Sequence, residues 1–178
     1  MMREPPDLAQ RFVKAAPTGD DRERDVCGHC GFIDYKNPKI VAGAVASHGG
    51  RILLCRRAIE PGRGFWTLPA GYLELGESVE DGARREAWEE ARARIVIDAM
   101  LGVYSVPRIS QVQIIFRANL ETPEFAPGPE SLDVDLFPWD KLPWPDIAFP
   151  TVGWALRHWK DVEGRKSFAA FSNPAEGV

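Results

Sequence analysis

The 178-residue sequence has few cysteines and no long apolar run. Three cysteines cannot build a disulfide framework, and an odd number suits a reducing compartment. The longest stretch free of Asp, Glu, Lys and Arg runs only from Ile40 to Gly50, whereas a membrane-spanning helix needs about 20 apolar residues. Met1–Asp7 carries acids and prolines where a leader would place its apolar segment. These features lead us to expect a cytoplasmic protein without a membrane partner. There is no Gly-x-x-x-x-Gly-Lys-Ser/Thr loop, no Gly-x-Gly-x-x-Gly turn and no Gly-x-Ser-x-Gly elbow, so the common phosphate-loop, dinucleotide and serine-hydrolase signatures are missing. Basic excess is missing too: a net charge of −4 argues against a nucleic-acid partner.

What is present is unevenly spread. Residues 74–90 hold seven acids (Glu74, Glu77, Glu80, Asp81, Glu86, Glu89, Glu90) against Arg84 and Arg85, so this window is −5 and the rest of the chain +1. Such self-repulsion opposes folding unless a positive group shares the site. Glu86, Glu89 and Glu90 stand at i, i+3 and i+4, the spacing of one helix face, with neighbours about 5–6 Å apart. Three glutamates on a helix are by themselves most often a solvated face. The alternative is a hard cation such as Mg²⁺, which takes carboxylate oxygens together with substrate phosphates. Arg85 can hold a carboxylate bidentately, and Glu77 falls just before the helix, where the dipole favours a negative charge.

The remaining chain reads as a mixture of strands and helices. Residues 1–25 read as a loose arm. Ile40–Ser47 and Arg51–Arg57, around His48-Gly49-Gly50, read as a hairpin. Phe65–Pro69 is extended, and a helix capped by Ser78 with Asp81 runs to about Ala91. Strands follow at Arg94–Ile97, Val112–Leu120 and Leu132–Phe137. An amphipathic helix covers Thr151–Val162, and the last dozen residues read as frayed.

From Gly71 the order is five residues, Glu77, seven residues, Arg85-Glu86-Ala87, one residue, Glu89-Glu90. This resembles the signature of the Nudix hydrolase family at every charged position, with Phe65–Glu74 leading in as in many members. The usual late glycine is Arg92 here. The resemblance implies a Nudix α/β/α sandwich with a mixed β-sheet over residues 39–162, behind an N-terminal appendage (1–38) and before a tail (163–178). It implies hydrolysis of a nucleoside diphosphate linked to another moiety, with Mg²⁺ or Mn²⁺ as cofactor. It implies Glu86, Glu90 and the Ala70 carbonyl as metal ligands, Glu89 as ligand or base, the later Glu130 as a further ligand or base, and Glu77 as the group that orients Arg85 or holds a metal-bound water. Arg56 and Arg57 are expected at a substrate phosphate. The family's habit and the apolar C-terminal helix suggest a homodimer.

Cys27-Gly28-His29-Cys30-Gly31 with Tyr35–Lys39 resembles the second half of the zinc ribbon that precedes some Nudix domains. Zinc needs four ligands, and no second Cys-x-x-Cys pair occurs, so a degenerate ribbon without zinc is the expectation and zinc at Cys27/Cys30 the alternative. The ribbon remnant, the lead-in and Pro127–Ser131 together resemble Nudix proteins cleaving ADP-ribose or FAD to AMP. NADH-cleaving members carry a Ser-Gln-Pro-Trp-Pro-Phe-Pro stretch where this chain has Ser105-Val106-Pro107-Arg108-Ile109. The resemblance also leaves room for a house-cleaning hydrolase of nucleoside triphosphates and for a non-catalytic nucleotide sensor.

Overall fold

The computed structural model describes residues 11–175, and two compact units divide between Asn37 and Pro38. Met1–Asp7 and residues 176–178 of the tail lie outside the described residues.

The first unit corrects the loose-arm reading for residues 11–25. Strands β1 (Phe12–Ala15), β2 (Arg24–Cys27) and β3 (Ile33–Asp34) form an antiparallel sheet in that order. The register sets Lys14 opposite Asp25, and Asp25 bridges Lys14 (2.8 Å) and Lys36 (2.6 Å). Opposite charges facing across strands favour this pairing, a local signal hidden within a polar sequence.

The second unit carries strands β4 (Lys39–His48), β5 (Arg51–Arg57), β6 (Trp66–Thr67) and β7 (Ala70–Tyr72), then helix α1 (Val79–Ala91). Strands β8 (Ile95–Val106), β9 (Gln111–Leu120) and β10 (Ser131–Pro138) precede helix α2 (Pro150–Asp161). The sheet order is β10-β5-β4-β9-β8, with β6 on β5 and β7 on β4; β4 and β9 run parallel and the other pairs antiparallel. Alternation along the strands feeds two cores. Ala42, Ala44, Ala46, Phe116 and Ala118 face Ala83, Ala87 and Ala91 of α1. Val45, Ile52, Leu54 and Ile115 face Val152, Ala155, Leu156 and Trp159 of α2. The result is an α/β/α sandwich on a mixed sheet.

Several local expectations change. The β4–β5 hairpin pairs only at Ser47–Ile52 and His48–Arg51. Beyond that the strands diverge, and Trp66–Tyr72 fills the wedge by pairing β6 with β5 and β7 with β4. That wedge carries Ala70 and Gly71 to α1. β8 is much longer than Arg94–Ile97, because register shifts at Ile97/Ala99 and Met100/Gly102 break its alternation without ending the strand. The tail is not frayed through Asn173. Phe171 donates its N–H to the Leu101 carbonyl and accepts from Val103 N–H, and the Asn173 amide brackets the backbone of Ser105. Arg117 fastens the same segment, donating to the Val162 and Arg165 carbonyls while pairing with Asp98. The apolar stripe of α2 that suggested a dimer is buried within this unit.

Candidate active site

Ser78 caps α1, its hydroxyl accepting from the Asp81 N–H at 3.1 Å, and Glu80 and Asp81 complement the dipole of the first turn. The helix ends on Arg92, which adopts the left-handed conformation (φ 50°) and donates its N–H to the Trp88 carbonyl, while the Ala93 N–H donates to the Ala87 carbonyl. Arginine therefore occupies the backbone state that glycine usually fills, and the carboxylates upstream keep their helical spacing.

Arg85 is the centre of the acidic cluster. Its Nε and one Nη donate to the two carboxylate oxygens of Glu77 at 3.1 and 2.7 Å. The other Nη donates to Glu86 (2.7 Å) and Glu89 (3.0 Å), and the Tyr72 carbonyl accepts at 2.9 Å. Glu77 also accepts from the Glu74 N–H at 2.7 Å. This bidentate pairing with Arg85 holds the Glu77 carboxyl below its ordinary range.

Glu86 and Glu90 are only 8% and 7% exposed. Burial pushes Glu86 upward against the pull of Arg85. Burial, then the charge of Glu86, pushes Glu90 up to about 8, although the Ala70 N–H donates to its carboxylate at 3.3 Å. Gly71 makes the close approach possible, since a methyl group there would overlap the Glu86 carboxylate. On the far side, Gly128 lies against the Glu89 carbonyl so closely that a side chain would overlap it, and its N–H donates to the Glu90 carbonyl. The proline-rich loop is thus moored on the end of α1, which delivers Glu130 beside the helix carboxylates.

These groups border a cavity of about 980 Å³, lined by Ala70, Arg85, Glu86, Glu89, Glu90 and Glu130 along one wall. Of the two arginines expected at a substrate phosphate, Arg57 lines the cavity, with its guanidinium 5.2 Å from the Phe149 ring centre and Nε donating to the Pro61 carbonyl. Arg56 turns to the Gly64 carbonyl instead and is not part of the lining, as alternation along β5 requires. Tyr72, Gln111, Gln113, Phe149 and Thr151 also line the cavity and were missed in the sequence. Two glutamines spaced by two, on a strand face continued by buried Ile115, were the clue to part of this set.

The donor set is all oxygen, and two desolvated carboxylates side by side need a positive partner, so these residues fit a hard divalent cation. Arg85 engages Glu86 and Glu89, and among the described residues no three acidic, histidine or cysteine side chains are grouped closely enough to hold an ion. In the first unit, the Cys27 thiol is drawn downward by the backbone N–H groups of Cys30 and His29. Two sulfurs from one turn supply half of a tetrahedral zinc set.

The NUDIX domain family model matches residues 36–155, and a zinc-ribbon model described as Nudix N-terminal matches residues 9–36. The chain belongs to the Nudix family. A Nudix hydrolase structure from Nitrosomonas europaea is similar at 42% identity and a TM-score of 0.84, over 91% of this Nudix chain and 94% of that one. The ADP-ribose pyrophosphatase of Methanocaldococcus jannaschii is 30% identical over 113 residues, covering 61% of this chain and 67% of its relative. The NAD-capped RNA hydrolase NudC of Pseudomonas syringae is 31% identical over 143 residues, covering 68% of this chain and 50% of that protein. The Nudix chain spans about half the length of several curated relatives it matches. Among the described residues no helix is long and apolar enough to cross a membrane.

Proposed function

We propose that this Nudix chain hydrolyses the diphosphate of ADP-ribose or FAD, releasing AMP and the second phosphate. The observation carrying this reading is the convergence of Glu86, Glu89, Glu90 and Glu130 with Arg85 on one wall of a cavity roomy enough for a two-part substrate. Glu86, Glu90, Glu89 and the Ala70 carbonyl would hold Mg²⁺ or Mn²⁺. The bound ion would neutralise the diphosphate oxygens and activate water. Glu77 fixes Arg85, and Arg85 in turn sets the rotamers of Glu86 and Glu89. Glu89 or Glu130 takes the proton of the attacking water as the phosphorus–oxygen anhydride bond breaks. Arg57, braced by Phe149, offers its guanidinium to the outer phosphate. The similarity to an ADP-ribose pyrophosphatase supports the diphosphate reading. The low and odd cysteine count suits a reducing, cytoplasmic setting.

The test is turnover of ADP-ribose, FAD, NADH, dGTP and oxidised dGTP with Mg²⁺, with products separated by chromatography and the attacked phosphorus located in ¹⁸O-labelled water. AMP from ADP-ribose or FAD is expected. Pyrophosphate release from a triphosphate with kcat/KM about tenfold above both diphosphates, roughly 1.4 kcal/mol of transition-state preference, would replace this reading with house-cleaning. NADH cleaved above both would favour the NADH-cleaving reading, and nucleotide binding without turnover would favour the sensor.

A further inference from the structure

The geometry points to Gln113 as the residue that reads the base of the nucleotide, and to adenine as the base it selects; this deepens the diphosphate reading and rests on its cavity.

Tyr72 of β7, Val41 of β4 and Gln113 of β9 are successive register partners, so they form one row across the sheet. The row spans two strand spacings, roughly 10 Å, from the strand that touches the carboxylates. That distance suits a nucleoside whose phosphate lies at the carboxylate wall and whose base lies over β9. A polar relay joins the two ends of this row through Gln111, the register partner of Lys39. The Gln113 Nε2 donates to the Gln111 carbonyl oxygen at 3.5 Å, and the Gln111 Nε2 donates to the Tyr72 hydroxyl at 3.1 Å. Tyr72 is itself held at both ends, its ring beneath the Lys39 ammonium (4.8 Å to the centroid) and its carbonyl on Arg85. One residue therefore links the acidic cluster to the relay.

All three relay members line the cavity, beside the apolar Val41 and Ile115. Polar side chains on a face that continues as buried core need a reason to be there. After its bond to Gln111, the Gln113 amide has its carbonyl oxygen and one N–H without a partner among the described residues. A donor beside an acceptor matches adenine, whose exocyclic amine adjoins a ring-nitrogen acceptor. A 6-keto purine places an acceptor where the amine would be. Reversing the Gln113 amide to suit it would require Gln111 and the Tyr72 hydroxyl to turn with it, whereas adenine is met by the arrangement present.

The test is calorimetric binding of AMP and IMP to the wild type, Gln113→Leu and Tyr72→Phe, with ADP-ribose turnover and melting temperature measured on the same samples. The wild type should bind AMP about tenfold or more tighter than IMP. Gln113→Leu should bring the two within about threefold of each other, and Tyr72→Phe should fall between, because Gln113 remains but its orientation is freed. Should Gln113→Leu not fold, Gln113→Glu keeps the shape, loses the donor and should narrow the ratio as well. A wild type indifferent to the base, or unable to bind either nucleotide, or a Gln113 variant that keeps the wild-type ratio, overturns the inference. AMP preference that depends on Gln113 without ADP-ribose turnover would instead sink the diphosphatase reading alone.

Discussion

The α1 face and the α2 face of the central sheet are each covered by one helix, and the side chains that meet the two helices differ in size. On the α1 side, Ala42, Ala44 and Ala46 meet Ala83, Ala87 and Ala91, and Gly71 touches Glu86. On the α2 side, Ile52, Leu54, Leu68 and Leu101 meet Leu156 and Trp159. Alanine and glycine bury little apolar area, so they contribute little to stability by themselves. They do let a helix approach the sheet closely, which sets the Glu90 carboxylate against the Ala70 N–H and keeps Glu86 and Glu90 away from water. The large side chains opposite supply the burial that offsets the cost of those desolvated charges. One face is shaped for placing chemistry, the other for holding the fold.

Substitutions on each side should separate these tasks. Leu156→Ala, in the bulky core, should lose about 2–5 kcal/mol in chemical denaturation. Glu90→Gln should lower Mg²⁺-saturated turnover by about a hundredfold. It should leave the melting temperature in metal-free buffer undiminished, because the amide oxygen still accepts from the Ala70 N–H and carries no charge to desolvate beside Glu86. Near-native turnover would break the comparison by showing that the small face does not place the chemistry. Ala87→Leu forces extra volume between α1 and the sheet and should cost about 1–3 kcal/mol, with kcat falling as the carboxylates shift. A drop in stability with unchanged kcat would mean the helix tolerates displacement. Arg92→Gly should have the smallest effect. Relief of the left-handed strain competes with a looser unfolded chain and the lost stacking on Trp88, leaving a gain of at most about 1 kcal/mol by thermal melting.

How much of this was legible depended on whether the information was local. The glutamate spacing, the Ser78 cap and the end of α1 were readable because helix periodicity and capping involve residues within a few positions of one another. Strands β5, β9 and β10 were readable from their apolar runs. The wedge of β6 and β7 was not, since strands of two and three residues carry no period, and neither was the full length of β8, whose two register shifts scramble its alternation. Glu130 was readable as a candidate, but its docking depended on Gly128 meeting the end of α1 some forty residues earlier, a contact that no local pattern encodes. The same holds for Arg117. It lies within a strand, and the residues that bury it come from the segment after α2, some forty-five positions later.

That returning tail has a consequence for how the chain behaves in company. β8 is the last strand on its side of the sheet, and an uncovered terminal strand is a template on which another chain can grow. With Phe171 bonded to Leu101 and Val103, and Asn173 bracketing Ser105, the middle of that template is already filled from within. The last described stretch of the sequence therefore acts as a built-in stopper against strand exchange and fibrous growth along this side of the molecule.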